Sequence, residues 1–207
     1  MSEFILGDCM EYMKNMADNE FELAIVDPPY GIGINQMRMG SRETVKPSDK
    51  KWDDNIPSNK YFDELMRVSK NQIIWGGNYF NLHPSRAFVI WDKGESMYGR
   101  SFAECEYAWV SIDSSAKIYK LNPIQLERFH PTQKPVALYK WLIKNYAKQG
   151  DKILDTHVGS ASSLIACYEM GFEYTGFEID EEYYNKAVER LEAVKAQTTI
   201  FDLGIEH

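Results

Sequence analysis

Short apolar runs alternate along this chain with longer segments whose apolar positions recur every three or four residues. Leu23 to Val26 is continuously apolar, which is typical of a parallel strand covered on both faces. The pattern predicts strands at 4–6, 23–26, 72–75, 87–91, 107–112, 152–154 and 174–177, and helices at 10–16, at 61–68, after Pro135 to a stop at Gly150, up to Met170, and at 181–196. This alternation predicts a single α/β domain over 1–207, with a mostly parallel sheet and helices on both faces.

Acidic residues follow four of the predicted strands. Asp8, Asp27, Asp155 and Glu178 each stand where an apolar run ends. Parallel sheets bind ligands beyond the carboxyl ends of their strands, so we expect these four side chains to share one rim and one site.

Composition narrows the class of protein. No apolar stretch reaches the roughly 20 residues of a membrane helix, and the first residues do not resemble a signal peptide. The three cysteines are far apart and have no metal-ligand spacing, which favours free thiols in the cytoplasm. A net charge of −8 argues against non-specific coating of nucleic acid but leaves room for a local basic surface.

The segment from Asp155 to Glu178 has the organisation of a nucleoside-binding unit: a strand, a turn with Gly159, a helix and a second strand that ends in an acid. That acid can accept hydrogen bonds from two ribose hydroxyls. The G-x-G-x-x-G spacing for a pyrophosphate is absent, so S-adenosylmethionine fits better than a dinucleotide. An ordinary tight turn with a solvated Glu178 is the alternative.

The sequence "DPPY", Asp27 to Tyr30, ends a buried strand with two prolines, which cannot donate to a further ladder. A carboxylate and a proline carbonyl can each accept one N–H of an exocyclic amine and direct its lone pair at an electrophile. Tyr30 offers a ring on which a nucleobase can stack. We therefore assign catalysis to Asp27, Pro28, Pro29 and Tyr30.

Taken together, five stretches resemble the DNA amino-methyltransferases that methylate adenine N6 or cytosine N4. "DPPY" is similar to their catalytic motif, "HPTQKP" (130–135) to the motif before a helix beside the cofactor, and "ILDTHVGSAS" to their cofactor loop. "GFEID" resembles the ribose-binding strand end, and "FILGDC" the strand whose acid lies near adenine. The catalytic motif precedes the cofactor loop, as in the permuted β-class, and the likeness runs from Phe4 to about Arg190. It implies a Rossmann-like methyltransferase sandwich.

The resemblance also implies roles for individual residues. Glu178 would bind the ribose, Asp8 the adenine edge, Asp155 and Gly159 the methionine end, and Thr132 or Lys134 the methionine carboxylate. The full set of implied cofactor-binding residues is Asp8, His130, Thr132, Lys134, Asp155, His157, Gly159, Ala161, Ser162 and Glu178.

Two residues depart from the family pattern. His157 stands where phenylalanine is usual, and we interpret it as a packing substitute. Ala161 stands where a second glycine is usual, and its methyl group is tolerated if φ there is negative.

DNA contacts are expected from the predicted mobile loop at 31–56, which carries five cations: Arg38, Arg42, Lys46, Lys50 and Lys51. The candidate target-recognition segment, 113–128, is short, so a homodimer is a reasonable expectation. In the tail at 197–207, Gln197, Ile200 and Phe201 resemble a peptide that docks on bacterial sliding clamps. Packing of that tail on its own domain is the alternative.

The target base stays open between adenine and cytosine. Aspartate in the first motif position favours adenine N6, since serine is commoner in the N4-cytosine enzymes. RNA or protein-glutamine methyltransferases usually place the cofactor loop first, and a nicotinamide oxidoreductase would leave "DPPY" unexplained. A non-catalytic DNA- or cofactor-binding module is the alternative outside the enzymes. A place in restriction–modification is the expected setting.

Overall fold

The predicted alternation of strands and helices forms an eight-stranded sheet in a computed structural model that describes residues 1–33, 53, 55–124 and 128–202, without the side chains of 198–202. The strands are β1 (Glu3–Leu6), β2 (Leu23–Val26), β3 (Gln72–Trp75), β4 (Phe88–Asp92), β5 (Cys105–Val110), β6 (Lys117–Lys120), β7 (Lys152–Asp155) and β8 (Glu173–Glu178). The helices are α1 (Cys9–Met13), α2 (Asn59–Val68), α3 (Val136–Tyr146), α4 (Ser162–Glu169) and α5 (Glu181–Asp202). This is the Rossmann-like α/β architecture predicted from the sequence.

The strand order is β1-β8-β7-β2-β3-β5-β4-β6, and only β5 runs against its neighbours. Strand β2 lies in the middle, pairing with β7 through Leu23 and Ile153 and with β3 through Ala24 and Gln72. The strand before the predicted catalytic motif therefore lies directly beside the strand before the predicted cofactor loop.

Both faces of the sheet are covered, which explains the continuous apolar run of β2. Leu23 and Ile25 pack in a core shared with α3, α4 and α5, whereas Ala24 and Val26 pack in a second core with α1 and α2. All four side chains are almost completely buried, as expected for a central parallel strand. No described helix combines the length and hydrophobicity that crossing a bilayer requires.

Several predicted boundaries were wrong. One strand was missed: β6 lies within 113–128, the candidate target-recognition segment, pairs only with β4 among the described strands, and leaves Ile118 67% exposed. Its polar Lys-Ile-Tyr-Lys sequence lacks the apolar run on which strand prediction depends. Helix α5 continues to Asp202 instead of ending at Ala196, because neither glycine nor proline interrupts it before Gly204. Pro135 caps α3 from the extended region rather than lying in its first turn.

Candidate active site

Strand β2 delivers Asp27 to the carboxyl-end rim, and the two prolines after it end the ladder. The side chain of Asp27 is 12% exposed, and its Oδ1 accepts a 2.6 Å hydrogen bond from the Tyr30 hydroxyl. Asp53, itself buried, accepts from the backbone N–H groups of Tyr30 (2.8 Å) and Gly31 (3.1 Å). These bonds fix the turn that carries the motif.

The other oxygen of Asp27 contacts a lysine from the "HPTQKP" segment. Lys134 Nζ lies 2.5 Å from Asp27 Oδ2 and 3.1 Å from Oε2 of Glu106, at the start of β5. Lys93 Nζ lies 2.8 Å from Oε1 of the same glutamate. The four residues form what we call the acid–lysine cluster (Asp27, Lys93, Glu106 and Lys134), in which two carboxylates and two ammonium groups balance.

Burial and these partners act on the acids in opposite directions. Burial alone would raise the pKa of Glu106, but Lys134 and Lys93 outweigh it and lower the pKa to about 2. Burial raises the pKa of Asp27 above its ordinary value, and the charge of Lys134 opposes that rise. Both carboxyl groups and Lys134 therefore depend on one another for their charge state.

Strand β7 ends at Asp155, which is bound by uncharged donors. Its Oδ1 accepts a 3.0 Å bond from the His157 N–H, and Oδ2 accepts from the Ser163 hydroxyl. Burial raises the pKa of Asp155 to about 7, because it has left water without gaining a cation.

Strand β8 ends at Glu178, whose carboxylate is also held by the backbone. It accepts from Gly159 N–H at 2.8 Å and from Asp180 N–H at 2.9 Å. Burial raises its pKa as well. Neither Asp155 nor Glu178 forms an ion pair with a lysine or arginine within the described ranges.

The turn between these acids is unusually close-packed. At Gly159, where φ is +56°, a Cβ would make a tight contact of 3.3 Å with the His130 ring, so glycine is favoured there. Ala161 also adopts a positive φ, +63°, which corrects the expectation of a negative value. The left-handed conformation costs about 1–2 kcal/mol in a residue with a Cβ, and the completely buried Ala161 methyl offsets part of this by packing in the core.

His157 makes both apolar and polar contacts. Its ring packs edge-on against Tyr61, with centroids 5.3 Å apart. Its Nδ1 lies 3.0 Å from the Thr156 hydroxyl, which lies 2.7 Å from the Tyr61 hydroxyl. Burial lowers the pKa of His157 to about 4, so the ring is neutral near pH 7. It therefore packs like the phenylalanine it replaces and adds a hydrogen-bonded chain.

An aromatic pair lies beside Asp27. Tyr30 and Tyr79 stack with centroids 4.9 Å apart and planes inclined by 12°, and Tyr79 is 44% exposed. Gly76 permits this arrangement, since a Cβ there would lie 2.2 Å from the Tyr30 ring. A tyrosine hydroxyl on Asp27 and an exposed ring above it are suited to receive a planar ligand.

One cavity of about 260 Å³ joins the two ends of the rim. Asp27 and Pro29 line it at one end and Glu178 at the other. Its remaining predicted site residues are His130, Thr132, Lys134, His157 and Gly159, and the additional lining residues are Gln133, Tyr139, Val158, Ser160, Ile179 and Tyr183.

Other predicted site residues lie around this cavity rather than in its wall. Asp155, Ala161 and Ser162 are buried in the turn. Asp8 is exposed and caps α1 by accepting from the Met10 N–H at 2.9 Å.

Some predictions concern residues that the structure does not describe. The five cations predicted to contact DNA all lie outside the described residues: Arg38, Arg42, Lys46, Lys50 and Lys51. Gln197 lies in α5, whereas the side chains of Ile200 and Phe201 lie outside the described part. The clamp contact and the homodimer stay predictions.

Sequence reasoning missed Glu106, Lys93 and Tyr79. The antiparallel direction of β5 places Glu106 at the rim although it begins a strand instead of ending one. The only available signal was an acid directly before the apolar part of a predicted strand. For Tyr79 the signal was an aromatic residue directly after the Gly76-Gly77 turn.

This chain is similar to known DNA methylases over much of its length. A family model described as DNA methylase matches residues 91–189. The putative methylase YubD of Escherichia coli K12 is 28% identical, over 94% of this chain and 92% of that protein. The type II methyltransferase M.HpaI of Haemophilus parainfluenzae is 26% identical, over 91% of this chain and 74% of its own length.

Two solved structures share the fold of this chain. The M1.HpyAVI–SAM complex superposes with a TM-score of 0.60 at 20% identity, covering 92% of this chain and all of that one. The PvuII DNA methyltransferase, a cytosine-N4-specific enzyme, also gives a TM-score of 0.60, at 11% identity over 93% of this chain and 90% of its own.

Proposed function

We propose that this chain, which is similar to DNA methylases, is a DNA amino-methyltransferase of the N6-adenine/N4-cytosine type, and that it methylates the N6 amine of a flipped adenine with S-adenosylmethionine as the methyl donor. One observation carries this proposal: a single cavity connects Asp27, in the base-binding motif, with Glu178, in the nucleoside-binding unit. A donor bound at one end would thus face an amine held at the other.

The residues of the cavity fit S-adenosylmethionine. Glu178 lines the wall with a carboxylate held by backbone N–H groups, which leaves its other lone pairs available to ribose hydroxyls. Gly159 keeps the wall open where a side chain would crowd the His130 ring. Thr132 also lines the cavity, and we assign the methionine carboxylate to it. When bound, S-adenosylmethionine supplies a methyl group already activated by its sulfonium.

At the other end, the chain's task is orientation of the base. Asp27 accepts one N–H of the target amine, and the carbonyl of Pro28 or Pro29 accepts the second, which directs the nitrogen lone pair into the cavity. The stacked pair Tyr30–Tyr79 supports the ring of the base or its neighbour in the strand. Flipping costs a few kcal/mol of unstacking and unpairing, which these contacts repay.

DNA affinity is assigned to the basic loop 31–56. A chain with a net charge of −8 needs local cations to approach phosphates, and this loop starts directly after Tyr30. We expect neutralising its five cations to remove much of the salt-dependent affinity and to leave cofactor binding unchanged.

Adenine is favoured over cytosine by the aspartate at position 27. The structural likeness to a cytosine-N4-specific enzyme keeps cytosine as the second candidate. Both bases present an exocyclic amine of the same chemistry, so the two candidates are distinguished by identifying the methylated nucleoside.

The decisive experiment incubates the chain with labelled S-adenosylmethionine and mixed-sequence duplex DNA, then digests the DNA to nucleosides. Label in N6-methyl-2′-deoxyadenosine supports the proposal, whereas label in N4-methyl-2′-deoxycytidine corrects the base and keeps the reaction. No incorporation by a chain that binds both S-adenosylmethionine and DNA would identify a non-catalytic binding module instead.

A further inference from the structure

The acid–lysine cluster requires an explanation beyond folding. Lys134 is 3% exposed and Asp27 is 12% exposed, so both charges have lost most of their water. Buried ion pairs often cost as much in desolvation as they return in attraction, and apolar residues of similar volume can replace them without loss of stability. A cluster of four such groups at the end of the catalytic strand therefore points to a role in the reaction.

The geometry gives each lysine a different task. Lys134 Nζ lies between the two acids, 2.5 Å from Asp27 Oδ2 and 3.1 Å from Glu106 Oε2. Lys93 Nζ binds the second oxygen of Glu106 at 2.8 Å, whereas Asp27 is bound by Tyr30 and Lys134. Glu106 is thus anchored by Lys93 and in turn anchors Lys134. The Lys134 ammonium also lies 5.2 Å from the centre of the Trp75 ring, which restricts it further.

We propose that Lys134 and Glu106 are positioning residues of the methyl transfer: Lys134 holds the Asp27 carboxylate in the orientation that accepts the target amine, and Glu106 holds Lys134. This rests on the proposed function, since it assigns Asp27 the amine. Lys134 engages Oδ2 and the Tyr30 hydroxyl engages Oδ1, so the carboxylate plane is fixed from two sides. Each oxygen keeps lone-pair capacity for a further N–H donor.

This role differs from the methionine-carboxylate contact that the family resemblance allows for Thr132 or Lys134. Two of the three ammonium protons of Lys134 face protein carboxylates. Thr132 lines the same cavity, with its hydroxyl 3.1 Å from His130 Nδ1. We therefore assign the cofactor carboxylate to Thr132, and Lys134 to Asp27.

The electrostatic surroundings of Asp27 make the proposal measurable. The ionisable groups that act on it or are acted on by it are Tyr30, Tyr61, Glu106, Lys134, Tyr139 and Asp155. The three tyrosines stay neutral, because burial raises each pKa well above the ordinary value. Lys134 lowers the pKa of Asp27 and Glu106 raises it, so removing one or the other has opposite effects.

The test is the pH dependence of single-turnover methyl transfer in the full chain, with the Kd of S-adenosylmethionine measured in parallel. Asp27 acts as an acceptor when ionised, so activity falls as pH drops through its pKa. In Lys134→Met that acid limb moves to higher pH by about one unit or more. In Glu106→Gln it moves to lower pH, because a negative charge beside Asp27 is lost, and the rate falls because Lys134 has lost the carboxylate that holds it in place.

Matched variants separate positioning from folding and from cofactor binding. Lys70→Met removes another ion-paired lysine, bound to Glu22 at the amino ends of β2 and β3, and leaves the pH profile unchanged. Thr132→Val weakens cofactor binding without moving the limb. Lys134→Arg keeps the charge and retains a limb near the original pH, which provides a second test if Lys134→Met does not fold.

The outcomes distinguish this proposal from the function on which it rests. A wild-type chain that transfers no methyl group to DNA overturns the proposed function. An active chain whose acid limb is unmoved in Glu106→Gln and in the folded lysine variants overturns the positioning role. A loss of cofactor affinity of tenfold or more in Lys134→Met, with the limb unmoved, would return Lys134 to the cofactor carboxylate.

Discussion

The two ends of the cavity hold their carboxylates in contrasting ways. At the cofactor end, Asp155 and Glu178 are bound by backbone N–H groups and a serine hydroxyl, all within 20 residues along the chain. At the catalytic end, Asp27 and Glu106 are bound by lysines, and the contact between Asp27 and Lys134 joins residues 107 positions apart. Burial without a cation raises the pKa of Asp155 and of Glu178, whereas the lysines keep Glu106 ionised and balance the charge of the catalytic end.

This difference suits the two ligands of the proposed reaction. A cationic sulfonium is attracted to an end whose acids have no cation beside them. A neutral amine needs an acceptor of fixed orientation, and a free negative charge there would compete for the cofactor. Carboxylates thus attract the cationic cofactor at one end and orient the target amine at the other, because the groups that bind these carboxylates differ.

The largest expected effect comes from breaking the catalytic end. Asp27→Ala removes the acceptor of the amine and should lower the single-turnover rate by about 10³-fold or more, by analogy with the loss of a general base. The Kd of S-adenosylmethionine should change little, because the contacts that we propose for the cofactor lie at the other end of the cavity. Asp63→Ala, which removes an exposed acid of α2, is the matched control. Near-normal turnover in Asp27→Ala would contradict the assignment.

A substitution at the cofactor end should change the affinity for S-adenosylmethionine and not the rate at saturating cofactor. Glu178→Gln retains the shape of the side chain but loses the charge and one acceptor for the N–H groups of Gly159 and Asp180. We expect the Kd of S-adenosylmethionine to rise about 10- to 100-fold, as for the loss of hydrogen bonds to a charged group. The rate at saturating cofactor should recover, and a lower saturated rate with unchanged Kd would contradict this role.

A smaller effect should follow from the aromatic pair at the catalytic end. Tyr79→Ala removes the exposed ring stacked on Tyr30, and a base–aromatic stack is worth about 1–3 kcal/mol. We therefore expect the DNA KM to rise about 5- to 100-fold, with the cofactor Kd unchanged. Tyr79→Phe keeps the ring and should restore the KM. If Phe and Ala behave alike, stacking is not the function of this residue.

The smallest expected effect concerns stability, and it lies within the cofactor loop. The pKa of Asp155 is raised from 3.8 to about 7, so its contribution to stability is complete below pH 3.8 and is lost as pH rises through 7. The pKa of His157 is lowered from 6.5 to about 4, so its contribution is present above pH 6.5 and is lost as pH falls through 4. As the pH rises between about 4 and 6.5, the free energy of unfolding therefore decreases through Asp155 and increases through His157, and the two effects oppose each other.

Substitution of either residue should reveal the other's slope. As the pH is raised from 4.5 to 6.5, the free energy of unfolding of His157→Phe should fall more steeply than that of the wild type. Over the same increase in pH, the free energy of unfolding of Asp155→Asn should rise. Urea denaturation at the two pH values measures both. Parallel curves for the three proteins would show that neither group changes its protonation on folding.

Features that depend on residues close together in the sequence could be predicted, whereas features that depend on contacts between distant segments could not. The strands before Asp27, Asp155 and Glu178 were predicted correctly, because apolar runs and the residues that end them are local signals. Glu106 was missed because its place at the rim follows from the reversed direction of β5, which no local pattern encodes. The ion pair between Asp27 and Lys134 could not be predicted either, because it joins residues 107 positions apart that only the folded sheet brings together.

Conformation within the cofactor loop was only partly predictable. The sequence indicated a turn at Gly159, which the structure confirms, and the turn uses a positive φ at this glycine. Ala161 was expected to avoid that region but adopts it, since a chain already bound through the Gly159 N–H to Glu178 must turn sharply into α4. Tertiary contacts thus override the preference of a single residue.

The strand order has a consequence for synthesis on the ribosome. Strand β1 is made first, yet its one partner in the described sheet is β8, about 170 residues later. Strands β7 and β8 insert between β1 and β2, so a nascent chain that has completed β6 still exposes the flank of its central strand. Such non-local pairing slows folding and leaves open edges that other chains can join. The half-made protein should therefore depend on chaperones until its final third emerges.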